Sequence, residues 1–102
     1  MTTAAPRTLA RKPGRATSFE PAVARAFGEV VRELRVERGV AQDAFALMAT
    51  VDRSYYGKLE RGERQPSLAL LLRIAAALET SGGDLVSRAE ARMESTRRRR
   101  SK

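Results

Sequence analysis

The chain has 102 residues, 42% of them hydrophobic and 31% charged, the size and mix of one small globular domain. It contains no Cys, His or Trp, which removes thiol and imidazole catalysis, disulfides and soft metal sites. No pair of carboxylates sits in an apolar setting that would tune it, so no enzyme, metal or cofactor is expected. The net charge of +8 is unevenly placed: residues 1–18 carry four basic residues and no acid, 19–90 ten basic against eleven acidic, and 91–102 six basic against one acidic. Attraction for polyanions is therefore concentrated in the two ends.

Residues 1–18 are rich in Thr, Ala, Pro, Arg and Gly, and Pro6, Pro13 and Gly14 interrupt any helical pattern. This predicts a disordered basic arm. It lacks the apolar stretch of a secretory signal, and no segment reaches the roughly 18 apolar residues of a membrane helix. A cytoplasmic protein is expected. Ser18 reads as an N-cap with Pro21 in the first turn. Val23, Phe27, Val30, Val31 and Leu34 then mark one apolar helix face, which Gly39 ends as a left-handed cap.

A second helix is predicted from Gln42 to Ala49, with Phe45 and Met48 as its bulky apolar residues. Val51 plugs the turn, and Asp52 caps a third helix that runs from Arg53 to Arg61 and stops at Gly62. In that helix Tyr56 and Leu59 share the packing side. Arg53, Ser54, Gly57, Lys58 and Arg61 fall opposite, making a polar and basic face. After the GERQP loop, Ser67 caps a fourth helix with a stripe of Leu68, Leu71, Ile74, Ala75 and Leu78. Ser81-Gly82-Gly83 breaks it, and a fifth helix follows over Asp84–Met93, with residues 94–102 expected as a disordered basic tail.

Two short helices around a tight turn make a DNA-reading unit. The motifs LR-x-x-R-G, Q-x-x-F-A, V-D-R-S-Y, L-E-R-G-x-x-x-P-S-L and L-x-x-I-A-x-A-L occur in that order between Phe27 and Val86. Together they resemble the phage repressor and Cro-like, or XRE-type, helix-turn-helix family. The resemblance implies an all-α, compact five-helix lambda-repressor-like domain over residues 19–93. It also implies roles: Arg53, Ser54 and Lys58 facing base edges, and Gln42 and Arg61 on phosphates. Tyr55 is a further candidate for a phosphate hydrogen bond. Arg35 and Glu60 match a structural salt bridge joining the first helix to the end of the third. The implied function is a sequence-specific regulator of transcription that binds double-stranded DNA as a homodimer on a palindromic operator.

The chain departs from the family pattern at several positions. Ala41 leaves the second helix without its usual Ser or Thr cap, at about 0.5–2 kcal/mol. Thr50 stands in a turn position that is commonly Gly, so the turn is either remodelled or strained. Gly57 weakens the middle of the third helix, and Phe45 and Tyr56 replace smaller aliphatic residues. Leu85, Val86, Ala89 and Met93 exceed what one small core needs, so the fifth helix is the expected dimer surface. No small-molecule ligand or membrane partner is expected. Two other readings stand beside the regulator: a protein-interaction module of the same fold, and a non-specific nucleic-acid binder driven by the basic ends.

Overall fold

The computed structural model describes residues 18–101, and among them five α-helices and no strand. The predicted arm over residues 1–17 and the terminal Lys102 lie outside the described residues. Helix α1 spans Pro21–Glu37, α2 Gln42–Met48, α3 Arg53–Glu60, α4 Leu68–Ala77 and α5 Gly82–Ser101. No described helix is long and apolar enough to cross a membrane.

Helix α1 starts at Pro21, whose fixed φ and missing N–H suit a first helical position. Its N-cap is Glu20 rather than Ser18, and no side chain bonds the cap. The entry is held from a distance instead. Gln65, in the loop after α3, accepts the Glu20 N–H at 2.8 Å and donates to the Ser18 carbonyl at 2.6 Å. Gly39, at φ +69°, closes the other end as expected from the sequence.

The core gathers Phe27, Val30 and Val31 of α1, Phe45 and Ala46 of α2, and Tyr56 and Leu59 of α3. Leu70, Ile74, Ala75 and Leu78 join from α4, and Leu85 from α5. Phe45 and Tyr56 meet with ring centroids 5.3 Å apart, so the two bulky aromatics fill the junction of α2 and α3. Of the stripe predicted for α4, Ile74, Ala75 and Leu78 are buried and Leu71 packs against the core, but Leu68 stays 72% exposed and Leu70 is buried in its place. In the first turns of LALLLRIAAA the leucines are crowded, so periodicity alone does not say which of Leu68 and Leu70 turns inward. Met48, counted among the bulky apolar residues of α2, is also exposed.

The break before α5 lies earlier than Gly82. Leu78 caps α4, and Glu79 takes the left-handed turn at φ +60°. Ser81 accepts the Asp84 N–H at 3.0 Å, so the glycine pair lies in the first turn of α5. A Cβ at Gly82 would lie 2.6 Å from a Leu72 methyl carbon, the movable end of a side chain, so the start of α5 lies close against Leu72. The helical backbone continues past the Met93 limit expected from sequence, to Ser101. Arg92 binds it to α1, donating to Glu29 at 3.2 Å and Glu33 at 2.6 Å.

Candidate nucleic-acid interface

Helix α3 is only 8 residues long, too short to persist alone. Its start is fixed by Asp52, whose carboxylate accepts the Tyr55 N–H at 3.0 Å. The preceding turn carries Thr50 at φ +59°, so the strain foreseen for a β-branched residue is stored there. Arg73 of α4 donates to the Thr50 carbonyl at 3.4 Å, bracing that turn from outside.

The far end of α3 is held by Glu60. Arg35 grips its carboxylate through Nε at 2.6 Å and Nη2 at 2.9 Å, and spends Nη1 on the Val40 carbonyl at 2.8 Å. Gln42 Nε2 donates to the same carboxylate at 2.9 Å, and the Tyr56 hydroxyl at 2.5 Å. Glu60 and Arg35 are both buried. Burial raises the Glu60 pKa, but hydrogen bonds from Arg35, Tyr56 and Gln42 outweigh it and hold the carboxyl below its ordinary range. Burial, and then the Glu60 bond, push the Tyr56 phenol up. No buried side-chain nitrogen or oxygen is left unpaired among the described residues.

Close contact with α1 depends on Gly28. A Cβ at that position would lie 2.4 Å from the Leu59 carbonyl oxygen and 2.7 Å from that of Glu60. The end of α3 thus rests on bare backbone of α1, which sets the distance between the two helices. No pattern in the sequence marks Gly28, because only the partner backbone shows why it is needed.

With one side of α3 locked inward, the other faces out. Arg53 and Ser54 are exposed and Lys58 is half-buried. Arg61, the C-cap, is exposed and pairs with Glu63 at 3.0 Å. Arg53 donates to Asp43 of α2 at 3.1 Å, a partner the sequence reading did not anticipate. Lys58 and Ser54 make no ion pair or side-chain hydrogen bond among the described residues. Tyr55 is half-buried and packs against the core, so only part of its ring is available to a ligand. Gly57, placed on the polar face by helical spacing, is covered. A Cβ there would lie 3.2 Å from Arg61 Nη1 and 3.6 Å from Gln42 Oε1. Gln42 is thus turned toward α3, one of its amide groups already committed to Glu60.

Among the described residues no group of three potential metal ligands converges. The arrangement offers a short, braced helix presenting cations and a hydroxyl along one edge, which suits insertion beside a polyanion.

Comparison with known proteins gives the same picture. Control protein C.MunI from Mycoplasma sp is 37% identical over 62 residues, covering 60% of this chain and 84% of that protein. The restriction-modification controller C.AhdI from Aeromonas hydrophila superposes with a TM-score of 0.61 at 41% identity, covering 63% of this chain and 97% of that one. The clp gene regulator ClgR from Corynebacterium glutamicum gives a TM-score of 0.75 at 29% identity, over 80% and 87% of the two chains. The helix-turn-helix family HTH_3 matches residues 31–85, a span running from the middle of α1 to the first turn of α5. The two helices around the Thr50 turn lie inside that span with the brace that holds them, and the chain belongs to the helix-turn-helix family.

Proposed function

We propose that this chain is a sequence-specific, double-stranded DNA-binding regulator of transcription, acting as a homodimer on a palindromic operator. The observation that carries the reading is the division of α3. Tyr56, Leu59 and Glu60 lock one side into the protein, while Arg53, Ser54 and Lys58 stand on the other. An exposed Arg at a helix start can span guanine O6 and N7, and a Lys one turn later can reach the same acceptors. Arg61, at the helix end, fits a phosphate contact. Gln42 fits one through its remaining amide capacity, and Tyr55 through its hydroxyl. The relatives are controllers and gene regulators by name, which favours regulation over a purely protein-binding role.

A homodimer needs an apolar surface the protomer does not use. Leu85 and Ala89, expected on that surface, are buried in the protomer itself. Met93 is half-buried, and of the four residues expected there only Val86 is exposed, at 43%; on the neighbouring α4, Leu72 and Leu68 are exposed at 50% and 72%. Gly82 brings α5 against Leu72, and Val86 lies one turn further along the same face. This patch is our choice for the dimer contact.

The test is selection of bound sequences from random duplex, followed by titration of selected and random duplexes across salt. The expected selected site has two symmetric halves about one helical turn apart. Arg53→Ala and Lys58→Ala should each weaken the selected site by about 1–3 kcal/mol and flatten one base position. If both variants keep the full preference of the parent, α3 is not the reading element.

A further inference from the structure

We infer that Asp43 is a positioning residue that sets the base preference of Arg53. The inference rests on the DNA-reading role proposed for α3, and goes beyond it by assigning sequence discrimination to a side chain of α2.

The Arg53 and Asp43 side chains are 70% and 66% exposed, and their Nη1–Oδ2 contact measures 3.1 Å. A pair this open serves no core, unlike Arg35–Glu60, whose side chains are 10% and 2% exposed. It ties the first residue of α3 to the second residue of α2 across a shallow cleft. The other walls of that cleft are Ala44, Ala46, Leu47 and Val51, whose side chains offer no second acceptor for the guanidinium.

The chemistry of the pair is compatible with reading. A guanidinium has five N–H donors in a rigid fork, and Asp43 takes one of them on Nη1. The Nε and Nη2 edge stays free to meet two parallel acceptors such as guanine O6 and N7. A lone exposed Arg would have to give up its rotamer freedom on binding, whereas one already held by a carboxylate has given up part of it. When a duplex covers the pair and displaces water, the contact strengthens. The carboxylate also repels phosphates of any sequence. Both effects push in one direction, toward a larger gap between the right site and all others.

The test compares full-length wild type, Asp43→Ala and Asp43→Asn on three kinds of duplex. These are the wild-type-selected site, its single base-pair variants, and random duplex. Thermal unfolding of each variant checks that the fold is intact. The expected result for Asp43→Ala is a drop of about tenfold in the ratio of selected to random affinity. The loss should be concentrated at the base pair that Arg53→Ala also flattens. Asp43→Asn keeps an oxygen acceptor and should retain most of the discrimination at that base pair while binding random duplex more tightly. Two outcomes overturn the inference. Equal tightening on every duplex would make Asp43 only a negative charge. Tighter and sharper binding by Asp43→Ala would make it a competitor that withholds Arg53. Failure of the DNA-reading role is a separate result, since wild type would then prefer no duplex over another.

Discussion

Glu60 offers one buried carboxylate to donors from three side chains, Arg35, Tyr56 and Gln42. Replacing it by Gln leaves the Arg35 charge without a counter-ion, which should lower stability by about 3–5 kcal/mol in urea unfolding. The same site governs behaviour in acid. Its folded pKa lies below the ordinary carboxylate value, and so does that of Glu33, chiefly through its hydrogen bond from Arg92. In the window between folded and unfolded values the unfolded chain therefore binds more protons. The stabilisation is complete above the unfolded pKa and fades as pH falls through the folded one. Wild type should lose stability as pH drops below about 4.5, and Glu60→Gln should show a shallower loss. Thr50 works in the opposite sense. A β-branched residue at φ +59° stores strain of about 1–3 kcal/mol, so Thr50→Gly should raise the melting temperature despite the entropy of glycine. A lower melting temperature would mean that the Thr side chain contributes more than its backbone loses.

At the scale of elements, α3 takes its position from contacts at both ends and from the backbone of α1. Gly28→Ala places a Cβ against two α3 carbonyl oxygens, which cannot swing aside as a side chain would. The expected outcome is a loss of about 1–3 kcal/mol, together with weaker discrimination among duplexes if α3 reads DNA as proposed, because that helix is displaced. Helix α5 shows how neighbours extend an element. The run of arginines near its end repels itself, yet Glu94 accepts from Arg97 at 2.8 Å and cations suit a helix C-terminus. Arg92 secures the preceding turn to Glu29 and Glu33. None of these partners is visible from composition, which is why the tail reading placed the helix end too early.

For the whole molecule, the sequence was most informative where a local rule applies. Asp52 and Ser67 cap their helices as their types suggest, accepting from Tyr55 and Leu70. Phe27, Val30 and Val31 sit where a period of 3.6 puts them. Helical spacing marked Arg53, Ser54, Gly57, Lys58 and Arg61 as the outward face, which holds except at Gly57, covered by Gln42 and Arg61. What stayed hidden were contacts between residues far apart in the chain, such as the Gln65 clasp on Ser18 and Glu20, the Asp43–Arg53 pair and the Gly28 rest. Each involves one or two residues with no periodic trace. The burial of Leu70 in place of Leu68 was hidden for another reason, since the first turns of α4 are rich in leucine on neighbouring sides. It leaves Leu68 outside with Leu72, in the patch proposed for the dimer contact. Leu72→Glu should convert a dimer to monomer in sedimentation while leaving the helical circular dichroism unchanged. A dimer that survives this change places the contact elsewhere.

The shared carboxylate of Glu60 also determines how α3 moves. An 8-residue helix would ordinarily fray, and its amides would exchange with solvent within the dead time of an experiment. Here Tyr56 and Glu60 connect it to α1 and α2, so it has no separate route to opening. The amides of Leu59 and Glu60 should exchange at the slow rate of central α1 residues such as Val31, and Glu60→Gln should release them first. The edge proposed to read DNA then opens only with the core. On the proposed DNA-reading role, a duplex would meet a helix already formed, and no binding energy would go into folding it.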